Sequence, residues 1–168
     1  MDKTETKDGS TLSKLERLAA WLKSKGRYRL IPRINPETGE KEKYLERFYL
    51  SSTKFLGSYL HCFWNSDPDF VHDHPWHFMS IILKGYYIEE VPERQSVPYG
   101  PKKQIIRKRF RPIFHTKYDA HRIIVPEGEE GKCWTLFMRF GLKKRLWGFY
   151  NPEGWTPAEV QSRKDIPE

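Results

Sequence analysis

The sequence predicts an all-β fold, an antiparallel sandwich or barrel of the jelly-roll kind, preceded by a single helix. Three observations carry that expectation. Aromatic residues make up 15% of the 168, with six Trp, nine Tyr and ten Phe, and such side chains suit a pleated, half-buried surface. From Tyr28 onward the apolar pattern has period two rather than 3.6. Twelve Pro and eleven Gly break the chain into short runs joined by turns, the spacing expected of sandwiches and barrels.

The elements follow in order. Residues 1–10 are polar and expected to fray. Over 11–25, Leu12, Leu15, Leu18, Ala19 and Leu22 form one apolar stripe with Trp21 at its edge, Ser13-Lys14-Leu15-Glu16 has capping-box form, and Gly26 can end the helix. Tyr28–Ile34 and Lys43–Leu50 read as strands around the turn-forming segment Asn35 to Glu40. Phe55–Trp64 is a strand candidate, and residues 65–69 form a loop. Trp76–Glu90 is a long run with apolar residues on both parities, which implies burial on both faces. Val91–Pro101 reads as a surface loop. Gln104–Phe114, His121–Val125 and Cys133–Phe140 are further strands, with a turn at 126–131. Leu146–Tyr150 and the Pro/Gly-punctuated 151–155 close the domain. The organisation is a polar tail and amphipathic helix over 1–26, then one β domain over 27–168.

Thirty Lys and Arg against 22 Asp and Glu give a net charge of +8, which permits anionic partners without proving them. The N-terminus lacks a signal-peptide pattern and no apolar run reaches the ~18 residues of a membrane span. The expectation is a cytoplasmic protein, no membrane partner, and two reduced thiols, Cys62 and Cys133.

The chemistry concentrates in His72-Asp73-His74-Pro75-Trp76 and in the distant His121. On a strand, His72 and His74 share a face with about 6.5–7 Å between them, two strand rises, a span one metal ion can bridge. Three neutral imidazoles around one open pocket would bind a divalent transition metal. Asp119 shares the face of His121 in extended backbone, as a fourth ligand or as a partner that orients an imidazole; Glu89 is the other carboxylate candidate. Trp76, Phe78 and Ser80 continue the parity of the histidine pair and would line the pocket, though plain core packing also accounts for Phe78. His61, Tyr87 and Arg139 are further wall candidates, His61 equally a satisfied core histidine. His77 has the opposite parity, and His115, before a polar turn, reads as surface. The stretch 101–117 holds seven Lys/Arg and no acid. Arg107, Arg109 and Arg111 alternate, so they would project from one strand face, as an anion site or as a charged edge that resists aggregation.

Several segments together resemble one family. The run 72–76 combines with Leu60–Phe63, Ser66-Asp67-Pro68-Asp69, Ser80, Leu83-Lys84-Gly85-Tyr86, Asp119-Ala120-His121-Arg122-Ile123, Trp134-Thr135-Leu136, Trp147-Gly148-Phe149 and Gly154-Trp155. The pattern is similar to the cupin superfamily, most closely to small cupin-like proteins of bacteria and phages, over roughly residues 28–158. The resemblance implies a double-stranded β-helix with a metal pocket inside, and the metal ligands carry over to His72, His74 and His121. Many metal-binding cupins place a glutamate three or four residues beyond the second histidine, where this chain has Phe78 and Met79. Three-histidine iron sites occur among cupin dioxygenases.

The function expected is a mononuclear non-haem metal oxygenase, with one divalent ion, iron(II) first and zinc, manganese or nickel as alternatives, acting on a small or nucleotide-like anionic substrate. The competing readings are a non-catalytic cupin that sequesters or senses a small ligand, and a nucleic-acid-associated protein. A homodimer is compatible with either.

Overall fold

The computed structural model describes residues 13–35, 38–142 and 146–158. The polar segment 1–10, Leu12, the centre of the 35–40 turn and the C-terminal tail lie outside the described residues. The predicted helix forms as α1, Lys14–Ser24, with the expected capping box: Ser13 Oγ accepts from Glu16 N, and Glu16 Oε2 accepts from Ser13 N at 2.8 Å. Satisfying both amides at the helix start is worth about 1 kcal/mol.

Among the described residues twelve strands follow: β1 Tyr28–Ile34, β2 Lys41–Ser52, β3 Leu56–Phe63, β4 Val71–His72, β5 His77–Lys84, β6 Tyr87–Pro92, β7 Lys102–Arg107, β8 Pro112–His115, β9 Arg122–Ile124, β10 Cys133–Phe140, β11 Gly148–Asn151 and β12 Gly154–Pro157. A six-stranded sheet runs β1-β2-β3-β10-β5-β8, and two three-stranded sheets run β12-β11-β4 and β7-β6-β9. All the ladder pairings are antiparallel.

Two runs that read as single strands in sequence divide between sheets. The segment 76–90 breaks at Gly85, φ 71°, so β5 stays in the large sheet and β6 enters a small one. A side chain at Gly85 would bring a Cβ to 2.8 Å from the Lys132 carbonyl, and its backbone conformation is one that only glycine adopts cheaply. The segment 104–114 breaks after Arg107 and turns at Phe110, φ 60°, before β8 joins the large sheet. The even-odd argument for Arg107, Arg109 and Arg111 needed an unbroken strand. Here Arg107 ends β7 and pairs inward, while Arg109 and Arg111 are exposed at the corner.

The inner core joins Leu45, Phe63, Ile82, Ile113 and Cys133 of the large sheet to Tyr87, Ile123 and Val125. On the sheet's outer face Phe48, Leu60, Cys62 and Trp134 pack against Ala19 and Leu22 of α1, where burying a leucine contributes about 2 kcal/mol. Cys62 and Cys133 are buried, free thiols. Beyond the apolar end, inward-facing residues run in cross-strand rows: Arg47, His61 and Thr135; then Tyr49, Tyr59, Phe137 and Ser80; then Gly57, Arg139, Phe78 and His115. These rows form the wall that faces the histidines.

Candidate metal centre

Backbone pairing brings the distant histidines together. His72 N donates to His121 O at 2.8 Å and His121 N donates to His72 O at 2.9 Å, a reciprocal bridge that sets the two residues opposite each other. The strand that starts this motif stops at His72. His74 reaches the same place from a bend rather than from the next inward strand position, so the expected shared strand face is replaced by a turn. Asp73 holds that turn. Its Oδ1 accepts from Gly148 N at 2.9 Å, and its Oδ2 accepts from Tyr150 Oη at 3.0 Å and Trp155 Nε1 at 3.2 Å.

The three rings meet. Centroids of His72 and His74 are 4.9 Å apart, His72 and His121 4.9 Å, and His74 and His121 5.2 Å. One nitrogen from each lies within 4.8 Å of the others. His74 Nε2 and His121 Nε2 are 3.0 Å apart, and two imidazoles sharing one ion at adjacent positions have nitrogens separated by about 3 Å. Burial pushes His72 down to about 4, with Asp67 opposing and His121 and His115 adding to the shift. Burial, then the neighbouring His72 and His121, hold His74 well below the usual imidazole range. Neutral rings are the form that ligates a metal. His72 Nδ1 is buried without a hydrogen-bond partner, 3.6 Å from Asp67 Oδ2. An orphaned buried nitrogen beside two converging imidazoles fits a site built for a cation.

Glu89, fully buried on β6, orients His121: its Oε1 lies 2.6 Å from His121 Nδ1. The same oxygen stands 2.8 Å from His115 Nε2, out of line for a good hydrogen bond. Oε2 accepts from Arg107 Nε at 2.6 Å. Burial alone would raise this carboxyl, but the His115 and His121 contacts outweigh it and hold it far below the ordinary range. Glu89, His115 and His121 thus form a second donor set that shares His121 with the first. A cation at Glu89 would face the Arg107 guanidinium, so the three-histidine set suits a metal better, with Glu89 as the carboxylate behind His121.

The other expected residues fall as follows. Asp119 is not beside the histidines: its carboxylate accepts from Thr116 N at 2.6 Å and closes the 116–119 turn. Phe78 packs on His74 at 4.5 Å and on His115 and Phe137, each at 4.9 Å. Ser80 is buried, and Tyr87 belongs to the apolar core rather than to the wall of the histidine site. His61 accepts from Arg47 Nε at 3.0 Å and stacks on Phe137 at 5.2 Å. Trp76 lies under the Arg139 guanidinium at 5.0 Å and lines a cavity of 340 Å³ with Phe55, Pro75, His77, Lys117, Phe140, Gly141 and Leu142. That cavity adjoins the sheet end rather than the three rings. His77 is exposed at the start of β5, away from the three rings. His115 corrects its surface reading: at 9% exposure it sits on the inner face, because the β5–β8 register sets it opposite Phe78. Arg47 and Asp73 were not singled out in the sequence. The parity of Arg47 with the core residue Leu45 was the available signal.

No family model matches the chain, and no curated protein matches it in sequence. Solved structures do resemble it. An iron(II) HppE in complex with substrate aligns with TM-score 0.51 and 11% identity over 83% of this chain and 64% of that one. Iron(II) HppE aligns with TM-score 0.50 and 13% identity over 68% and 57%. The DMSP lyase DddQ from Ruegeria pomeroyi aligns with TM-score 0.50 and 13% identity over 86% and 81%. The chain spans less than two thirds of either HppE structure. At such identities the likeness is one of fold alone: a mostly β chain of the double-stranded β-helix type, with one short helix among the described residues.

Proposed function

We propose that this chain is a metal-dependent cupin-fold enzyme of the oxygenase type. His72, His74 and His121 hold one divalent ion, iron(II) ahead of zinc, manganese or nickel, and the substrate is a small organic anion. The observation that carries the reading is the reciprocal His72–His121 backbone bridge with the His74 ring folded against it, three buried or half-buried imidazoles within reach of one ion. That two fold neighbours are iron(II) forms of HppE is a reason to test iron first.

When bound, the ion supplies Lewis acidity and, as iron(II), redox chemistry with dioxygen. The chain supplies the rest. Burial keeps His72 and His74 unprotonated, so their lone pairs are available. Glu89 accepts from His121 Nδ1 and leaves Nε2 facing His74. Phe78 and Phe137 cover the rings from the sheet side and keep water off them. The test is metal analysis of protein prepared anaerobically with iron. About one equivalent, lost in His72→Ala and His121→Ala variants that still fold, supports the reading; iron retained by both variants refutes it.

A second reading has its own observation. Arg109 and Arg111 flank Phe110, which is 71% exposed, and Phe114, equally exposed, follows. Basic groups between exposed rings suit single-stranded nucleic acid. Affinity that falls steeply with salt in wild type, and not in Arg109→Ala/Arg111→Ala, would favour it.

A further inference from the structure

Arg47 and Arg139 are the two arginines of the inward-facing rows, and neither has a carboxylate within ion-pair distance among the described residues. Arg33, Arg107 and Arg122 each have one, at 2.5 Å, 2.6 Å and 2.8 Å. Arg47 is half-buried, on the face of β2 that carries the core residue Leu45. Its Nε donates to His61 Nε2, a neutral acceptor that returns no charge. Burial and the Arg47 charge hold His61 well below its ordinary range, so the imidazole stays neutral. The guanidinium lies 5.3 Å from the Tyr59 ring. Arg139 reaches the same tyrosine from the next row, donating from Nε to Tyr59 Oη at 2.9 Å and from Nη2 to Thr53 O at 2.8 Å. Tyr59 therefore contacts two cations, and among the described residues no carboxylate pairs with either. Partial burial of a guanidinium without a counter-charge carries a desolvation cost that a ligand's charge would offset.

The place is also the right one for a substrate of the histidine site. Phe137 stacks on the His61 ring at 5.2 Å on one side and lies 6.2 Å from His74 on the other. The His61 ring, which Arg47 contacts, and then the Phe137 ring lie between the guanidinium and the proposed metal ligand His74.

We infer that Arg47, with Arg139 beside it, seats the oxyanion of a small organic acid, a carboxylate or a phosphonate, whose organic part lies along Phe137 toward His74. Arg47 Nε is committed to His61, which leaves the two Nη groups as the fork for a bidentate oxyanion. The exposed Arg109 and Arg111 are not part of the seat. The orientation toward His74 rests on the proposed function; the anion seat itself does not require a metal.

The experiment uses the full chain stripped of metal by a chelator. Its arginine Nε–Hε resonances are followed by NMR during titration with propionate and, separately, methylphosphonate, with propanol as the uncharged control. The inference expects saturable shifts of the Arg47 signal with one or both anions and none with propanol. The two anions rank the head group. Affinity should fall at least about tenfold in Arg47→Lys, which keeps a charge and loses the fork, and should be unchanged in Arg109→Ala/Arg111→Ala. Should Arg47→Lys not fold, Arg139→Gln replaces it, with a smaller loss expected. No saturable shift in wild type, or binding unaltered by the folded arginine variants, overturns the inference. His121→Ala separates it from the metal reading: it should abolish metal uptake and leave the anion titration intact. A wild type that takes up no metal yet titrates with propionate refutes the proposed function and leaves the seat standing.

Discussion

Replacing Glu89 by Gln tests the network behind the candidate metal site. The carboxylate has no exposure, and its oxygens serve His121 Nδ1 at 2.6 Å, Arg107 Nε at 2.6 Å and His115 Nε2 at 2.8 Å. Glutamine keeps the shape and one acceptor oxygen, but it turns an NH2 group toward a donor. Losing a buried charged partner costs about 3–5 kcal/mol when the other side stays fully buried. The Arg107 side chain is 26% exposed and can rehydrate, which lowers the expected loss to about 2–4 kcal/mol. The assay is urea unfolding of metal-free protein, where the midpoint should fall with the slope unchanged. The second readout is metal affinity, which should drop about 10- to 100-fold because His121 loses the group that fixes its tautomer. A variant within about 0.5 kcal/mol of wild type, with metal affinity unaltered, would refute the reasoning.

Other substitutions probe the frame. Asp73→Ala removes the acceptor shared by Gly148 N, Tyr150 and Trp155; a loss of about 2–4 kcal/mol in chemical denaturation, with faster amide exchange over β11 and β12, is expected. Gly85→Ala should cost roughly 1–2 kcal/mol from φ alone, and more from the 2.8 Å approach to Lys132 O, read as a lowered Tm. Stability of the metal-free protein should fall with acid. His72 has its pKa lowered from 6.5 to about 4, and His61 and His74 are lowered as well. Below 6.5 the unfolded chain binds protons that the folded chain refuses. Stability is therefore fully present above 6.5 and declines as pH falls toward the folded values, by up to about 1.4 kcal/mol per pH unit for each such histidine. Denaturation midpoints measured from pH 7.5 down to pH 5 check this, and a flat profile would contradict it.

Much of the frame was legible in the residues. The capping box, β1 and β10 appear where the periodicity put them, because local patterning decides those elements. The convergence of residues 72, 74 and 121 was also expected, though for an incomplete reason. Parity along a strand suggested that His72 and His74 share a face, whereas β4 ends at His72 and a bend anchored by Asp73 delivers His74. A period-two pattern does not reveal where a chain leaves one sheet for another. Hence 76–90 and 104–114 looked continuous, and Arg107 looked like a companion of Arg109 and Arg111. The inward turn of His115 was hidden for a related reason: its burial comes from pairing with β5, not from its own polar neighbourhood. Asp119 and Glu89 were equal candidates as carboxylates, and only tertiary placement separates a turn-closing Asp119 from a Glu89 behind His121.

The central claim is that three imidazoles, from residues 72, 74 and 121, grip a single ion. X-ray absorption at the metal edge of the iron-loaded protein tests it most directly, by counting imidazole ligands. The account predicts a signal of three imidazoles in wild type, falling to two in any His→Ala variant at 72, 74 or 121 that retains metal, and unchanged in His115→Ala. A wild-type ion with fewer than three imidazoles, or one whose ligation changes in His115→Ala and not in His72→Ala, would contradict it.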